Sequence, residues 1–146
     1  MAGNTIFRGP ITHQPISVSK PVAGAYLPGT FVEETATELV QITTSLGKLP
    51  LILSNLDFKD QTVTDAYADE DTGIAFKIVP GMIVQARMAD ATYALNAPLK
   101  IAASGRLAAA TAGDIVIAFF SDTPGAYSAG ALADVTIANS YNVPAA

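Results

Sequence analysis

The sequence predicts an all-β domain, an antiparallel sandwich or barrel, on three observations. Three Pro-Gly pairs, Pro28-Gly29, Pro80-Gly81 and Pro124-Gly125, punctuate the chain. Proline presets φ and glycine tolerates positive φ, so each pair suits a type II turn and reads as a reversal. Around the middle pair hydrophobicity alternates with period two. Ile74, Phe76 and Ile78 oppose Ala75 and Lys77; Met82, Val84, Ala86 and Met88 oppose Gln85 and Arg87. That is the pattern of a two-stranded unit with one buried side. Lastly, strand-like segments recur with a turn about every dozen residues and no βαβ rhythm.

Residues 1–20 read as an extended N-terminal arm. Pro10, Pro15 and Pro21 remove amide donors and favour extended backbone, and Ile16-Ser17-Val18-Ser19 is a short alternating stretch. Ile6, Phe7, Ile11, Ile16 and Val18 would be wasted in solvent, so they are the expected contacts with a neighbouring subunit. Residues 21–138 form the β-domain, with strands expected at 38–43, 50–53, 74–78, 82–88, 99–102, 115–120 and 135–138. Ser104-Gly105 supplies a further tight turn. Segments 89–95 and 107–112 have helical propensity for a turn or two, and 139–146 reads as a C-terminal tail.

A chain of 146 residues is one domain and can bury roughly 68–70% of its unfolded surface. Half of its residues are hydrophobic and only 14% are charged. Such a balance implies surface hidden against neighbours as well as in a core. The net charge of −5 argues against nucleic acid as a partner, because a phosphate-tracking surface needs clustered Lys and Arg. The eight basic residues are scattered singly, which also argues against a polybasic membrane anchor. No cysteine is present, so neither a disulfide nor a thiolate metal site can form. The residues following Met1 lack a basic and an apolar region, so no secretory signal is expected. The apolar run 115–120 is far shorter than the ~20 residues of a membrane helix.

Catalytic patterns fail one by one. His13, the single histidine, lies in the arm without a partner for a dyad or a metal cluster. Asp65, Asp69, Glu70 and Asp71 precede Gly73 in an order superficially like a calcium loop. The glycine comes one residue early and no glutamate closes the loop, so an exposed acidic turn is the better reading. Glu33-Glu34 fit a solvated strand edge, where charge discourages stray pairing. Ser45-Leu46-Gly47-Lys48 is followed by Leu49, not the Ser or Thr of a phosphate loop. No catalytic residue, cofactor or metal is therefore expected.

Several segments carry a likeness in their order and spacing. They are Leu27-Pro28-Gly29-Thr30-Phe31-Val32, Asp65-Ala66-Tyr67, Asp71-Thr72-Gly73 and Val79-Pro80-Gly81-Met82-Ile83-Val84-Gln85-Ala86-Arg87. Ala97-Pro98-Leu99-Lys100-Ile101, Ser104-Gly105-Arg106-Leu107, the 115–120 strand and Asp134-Val135-Thr136-Ile137 complete the set. Over residues 25–138 the chain resembles the capsid decoration, or cement, proteins of tailed bacteriophages, departing in 107–113 and 121–133. The resemblance implies a small β-barrel or β-tulip with an arm, a homotrimer, and the major capsid protein as partner. It places the protein on the outer surface of a mature head, between capsomers, stabilising the shell against DNA pressure. It brings no catalytic residues. Deleting residues 2–18 would, on this reading, abolish capsid binding and leave the β-domain folded. The runner-up is another virion part, a head fibre or tail-tube subunit.

Overall fold

Leu51-Ile52-Leu53-Ser54 shows no polar alternation, and all four residues are buried because their strand is covered on both faces. The computed structural model describes residues 4–12 and 14–142, with the backbone alone for 140–142. Among the described residues thirteen strands follow one another. They are β1 (Phe7–Gly9), β2 (Ser17–Pro21), β3 (Phe31–Glu34), β4 (Leu39–Gln41), β5 (Leu51–Ser54) and β6 (Thr72–Lys77). Then come β7 (Ile83–Arg87), β8 (Ala91–Tyr93), β9 (Pro98–Ile101), β10 (Leu107–Ala109), β11 (Ile115–Phe120), β12 (Gly125–Tyr127) and β13 (Leu132–Asn142). Two 3-10 turns, Asp57–Lys59 and Ala103–Gly105, are the helical elements among the described residues.

Antiparallel pairing builds three sheets. The largest has the order β1-β7-β13-β11-β9-β10, the second β2-β6-β5-β3-β4, and β12-β8 forms a small third. The first two enclose the main core. Val84, Ala86, Leu99, Ile101, Leu107 and Ile117 of the large sheet meet Phe31 and Ile52 of the second. Successive side chains on a strand point to opposite faces, so Val32, Leu51, Leu53 and Ala75 face away from that core. With Val22, Leu39, Leu56 and Tyr67 they form a second one. Tyr93, Phe120 and Tyr127 seal the end under the small sheet, with Tyr93 stacked on Phe120 at 5.4 Å and Tyr127 edge-on to Phe120 at 5.3 Å. Such offset and edge geometries suit the ring quadrupoles.

The all-β class stands, but the sheets do not close into a barrel. In the second sheet the two edges meet at one point, where Val22 bridges Leu39 and Ala23 N–H donates to Leu39 O at 2.9 Å. The edge strands are three to five residues long, too short for continuous closure, which requires a shared tilt and stagger.

Four local expectations change. Residues 7–9 and 17–21 are strands of the body, pairing with β7 and β6 respectively; the projecting arm is instead a seam joining both large sheets. Segments 74–78 and 82–88 do not pair with each other, because Pro80-Gly81 carries the chain from the second sheet into the first. Its turn is nonetheless formed, with Gly81 at φ +87° and Met82 N–H donating to Val79 O. Segments 89–95 and 107–112 hold strands, not helical turns. β8 pairs with β12 and β10 with β9, so tertiary packing overrides weak propensity in pieces too short to nucleate a helix. Residues 139–142 continue β13, with Asn142 opposite Ile115, and 143–146 lie outside the described residues.

The Pro28-Gly29 turn and the Ser104-Gly105 turn meet in space. Gly29 sits at φ +91° and Thr30 N–H donates back to Leu27 O, as a type II turn requires. Gly105, at φ +65°, abuts the strand that follows that turn. A Cβ there would lie 2.6 Å from Thr30 Cγ2 and 2.7 Å from Phe31 O. Glycine is thus needed both for conformation and for space. Pro124-Gly125 behaves differently, since Gly125 already begins β12, opposite Tyr93.

Candidate functional site

The five residues expected at an interface are not brought together. Ile6 is fully buried in the chain's own core, because β1 lies on β7 and delivers it between the sheets. Phe7 is half-buried, edge-on to Phe76 at 6.3 Å, and Val18 packs against the second core. Ile11 and Ile16 alone face outward, 84% and 64% exposed. Ile16 borders an apolar groove of about 150 Å³ with Pro10, Pro15, Val79 and Met82. Val79 is itself 49% exposed, so exposed apolar side chains face outward along the seam, with Gln14 and Lys77 also lining the groove. His13 lies outside the described residues. Exposed Leu46, Leu49 and Phe58 also escaped the sequence reading. Phe58 was the one with a legible signal, a lone aromatic between Asp57 and Lys59-Asp60.

The acidic residues hold turns. Asp65 accepts from the Thr62 amide at 2.9 Å and the Thr62 hydroxyl at 3.0 Å, which holds its carboxyl below the ordinary value. Asp71 accepts from the Ala68 amide at 3.1 Å. Among the described residues no group of three or more acids or histidines could hold a metal ion. Glu33 and Glu34 lie on the end of β3 that pairs with β4 alone, beyond its pairing with β5, and are ion-paired to Lys48 and Lys20 at 2.9 Å each.

Asp114 shows the strongest such effect. Its Oδ2 accepts from the Thr111 amide at 2.8 Å and the Thr111 hydroxyl at 2.9 Å, with Lys100 Nζ 2.9 Å away. The amide chiefly, then the ammonium and hydroxyl, lower its pKa to about 2. A carboxyl whose folded pKa lies below its unfolded one stabilises the fold above the unfolded value, here 3.8, and loses that contribution as pH falls through about 2. Asp114→Asn is therefore expected to lower Tm at neutral pH, with the gap closing below pH 3.8 and absent below about 2. Thermal melts across that range check it; a gap independent of pH would refute it.

Arg87 is the largest departure from the sequence reading. The polar face of β7 was expected outward, yet Gln85 and Arg87 are 2% and 8% exposed. The Gln85 amide donates to Thr5 O at 2.6 Å, so the N-terminal segment covers it. Arg87 Nε donates to Pro28 O at 2.8 Å, Nη1 to Gly130 O at 2.9 Å, and Nη2 to Val63 O. One side chain thus ties three loops, each from a different stretch of sequence. Burial, and then the charge of Arg106, lower its pKa.

Geometry of this kind defines a class: an open antiparallel β-fold of two large sheets and a small third, in which Asp65, Asp71, Asp114 and Arg87 hold turns and loops. Within that class the chain is similar to a solved structure, the N base of the head fiber protein gp8.5 of bacteriophage phi29. The TM-score is 0.58 at 10% identity, over 86% of this chain and 95% of that one. At that identity the likeness is one of fold. No protein family matches the sequence, and no curated protein does.

Proposed function

We propose that this chain is a non-enzymatic structural subunit of a phage head, attached to the shell exterior in the manner of a head-fibre base. The observation that carries the reading is the fold likeness to the phi29 head-fiber N base, which spans nearly the whole of both chains. The low charge content, the exposed Ile11 and the groove between exposed Ile16 and Val79 support it, since outward apolar side chains are suited to contact with another subunit. This reading is preferred to the cement role that the sequence resemblance implied, because the structural neighbour is a fibre base. The major capsid protein is the proposed partner and a homotrimer the proposed assembly; several copies engaging at once would add avidity.

Co-sedimentation with expanded, DNA-free phage heads tests it. The wild-type chain is expected to pellet with heads. The Ile11→Asp/Ile16→Asp double variant should bind at least about tenfold more weakly, the effect of losing a well-packed apolar contact. Failure of the wild-type chain to bind heads would sink the proposal. Heating decorated heads separates the two roles: a cement protein raises the rupture temperature, whereas a fibre base binds and leaves it unchanged.

A further inference from the structure

Arg87, at the end of β7, and Arg106, between the Ala103–Gly105 turn and β10, converge beside Gly130. Arg87 Nη1 donates to Gly130 O at 2.9 Å. The Arg106 guanidinium lies against the same residue: a Cβ built on Gly130 would be 3.6 Å from Arg106 Nη2 and 3.9 Å from its Cζ. The four ion pairs among the described residues use Arg8, Lys20, Lys48 and Lys100. Neither Arg87 nor Arg106 meets a carboxylate there, and the Arg106 side chain makes no hydrogen bond among the described residues. In a chain of net charge −5, two adjacent cations without an acidic neighbour are costly and call for a counter-charge.

The space for one is present. Arg87 and Arg106 both line a cleft of about 200 Å³, with Tyr26, Thr30, Gln41 and Ser104 among apolar Ala25 and Leu27 in its mixed wall. A guanidinium has five N–H donors in a planar fork. Arg87 gives one to each of three carbonyls and keeps two; Arg106 keeps all five. The fold fixes this arrangement from below. Arg87 is locked by its three carbonyls, and Arg106 follows the Ala103–Gly105 turn, which Gly105 presses against Thr30 and Phe31.

We infer that the cleft between Arg87 and Arg106 is a binding site for one small oxyanion, a phosphate or a carboxylate. Paired arginine forks match the geometry of such groups and exceed the strength of neutral hydrogen bonds. The anion would cancel the repulsion between the two guanidinium groups and complete the tie at Gly130. This inference does not depend on the head-fibre reading.

The test is isothermal titration calorimetry of the purified chain with inorganic phosphate, acetate and a capped aspartyl tripeptide, with sodium chloride at matched ionic strength as control. Saturable one-to-one binding of phosphate or carboxylate, beyond the chloride control, is expected. Arg106→Gln should weaken it at least about tenfold, the loss of a charge-assisted contact, with an unchanged circular-dichroism spectrum. Arg106→Lys, which keeps the charge but not the fork, should fall between. The arms separate the sources: binding of the free ions alone assigns a solute site, and binding of the peptide assigns an acidic side chain of a partner. No binding above the chloride control, or equal binding by Arg106→Gln, overturns the inference.

Discussion

Replacing Arg87 with leucine is expected to destabilise the protein by at least about 3 kcal/mol, because three carbonyls lose their donor at roughly 1 kcal/mol or more each. For a domain of this size that is a fall of roughly 6–12 °C in Tm. The carbonyls belong to Pro28, Val63 and Gly130, which precede β3, β6 and β13. Their loops have no other common partner in the contacts described above, so the loss falls on all three together. Leucine fills similar apolar space but donates nothing. Arg87→Lys keeps the charge, yet one ammonium cannot span three acceptors set for a fork, so it should recover only part of the loss. Thermal and urea denaturation of the two variants measure this. A leucine variant melting within about 2 °C of wild type would show that water replaces the staple at little cost.

Arg87 also marks where the sequence stopped being informative. Period-two alternation correctly placed β7 and its apolar face, since Val84 and Ala86 do line the main core. It could not reveal that the opposite face is covered. A buried arginine satisfied by carbonyls has the same local pattern as a solvated one; its partners lie 59, 24 and 43 residues away. The turn at Ser104-Gly105 was legible, because its chemistry is local; the strand after it was not, since 107–112 has helical propensity and only the pairing of Leu107 with Ile101 makes it β10. Nor was the pairing across Pro80-Gly81. The same turn type serves a hairpin or a passage between sheets, and only the destination of each strand decides. Closure misled for a related reason. Alternating strands predict a β-fold with one buried face, but whether edges join depends on strand lengths that alternation leaves open. As for the interface, the sequence picked out apolar residues in a proline-rich stretch. It could not sort Ile6, which goes inward, from Ile11 and Ile16, which face out.

Removing residues 2–18 is expected to abolish folding rather than spare it, the reverse of what an arm would give. The deletion takes away β1 from the edge of the large sheet and Ser17 and Val18, the first two residues of β2, from the edge of the second. It removes the Asn4 carboxamide oxygen that accepts from the Val63 amide at 2.9 Å, and the Thr5 carbonyl that accepts from the buried Gln85 side chain at 2.6 Å. It also empties the space of Ile6. That side chain alone sets a lower bound: Ile6→Ala, which leaves the backbone in place, should cost about 2–5 kcal/mol as a core truncation. Against a total stability of about 5–15 kcal/mol, adding two lost strand edges and the lost contacts of Val63 and Gln85 exceeds what the fold can lose. Circular dichroism and proton NMR dispersion of the truncated chain measure it, with Ile6→Ala melts as the graded comparison. The Ile11→Asp/Ile16→Asp variant, altered only on the outer side of the same segment, should melt with wild type. Should the truncated chain instead stay folded and cooperative, the seam would be an appendage after all. Head binding lost on truncation would then report on contacts, whereas a truncated chain that unfolds makes loss of binding uninformative and leaves the surface double variant as the decisive probe.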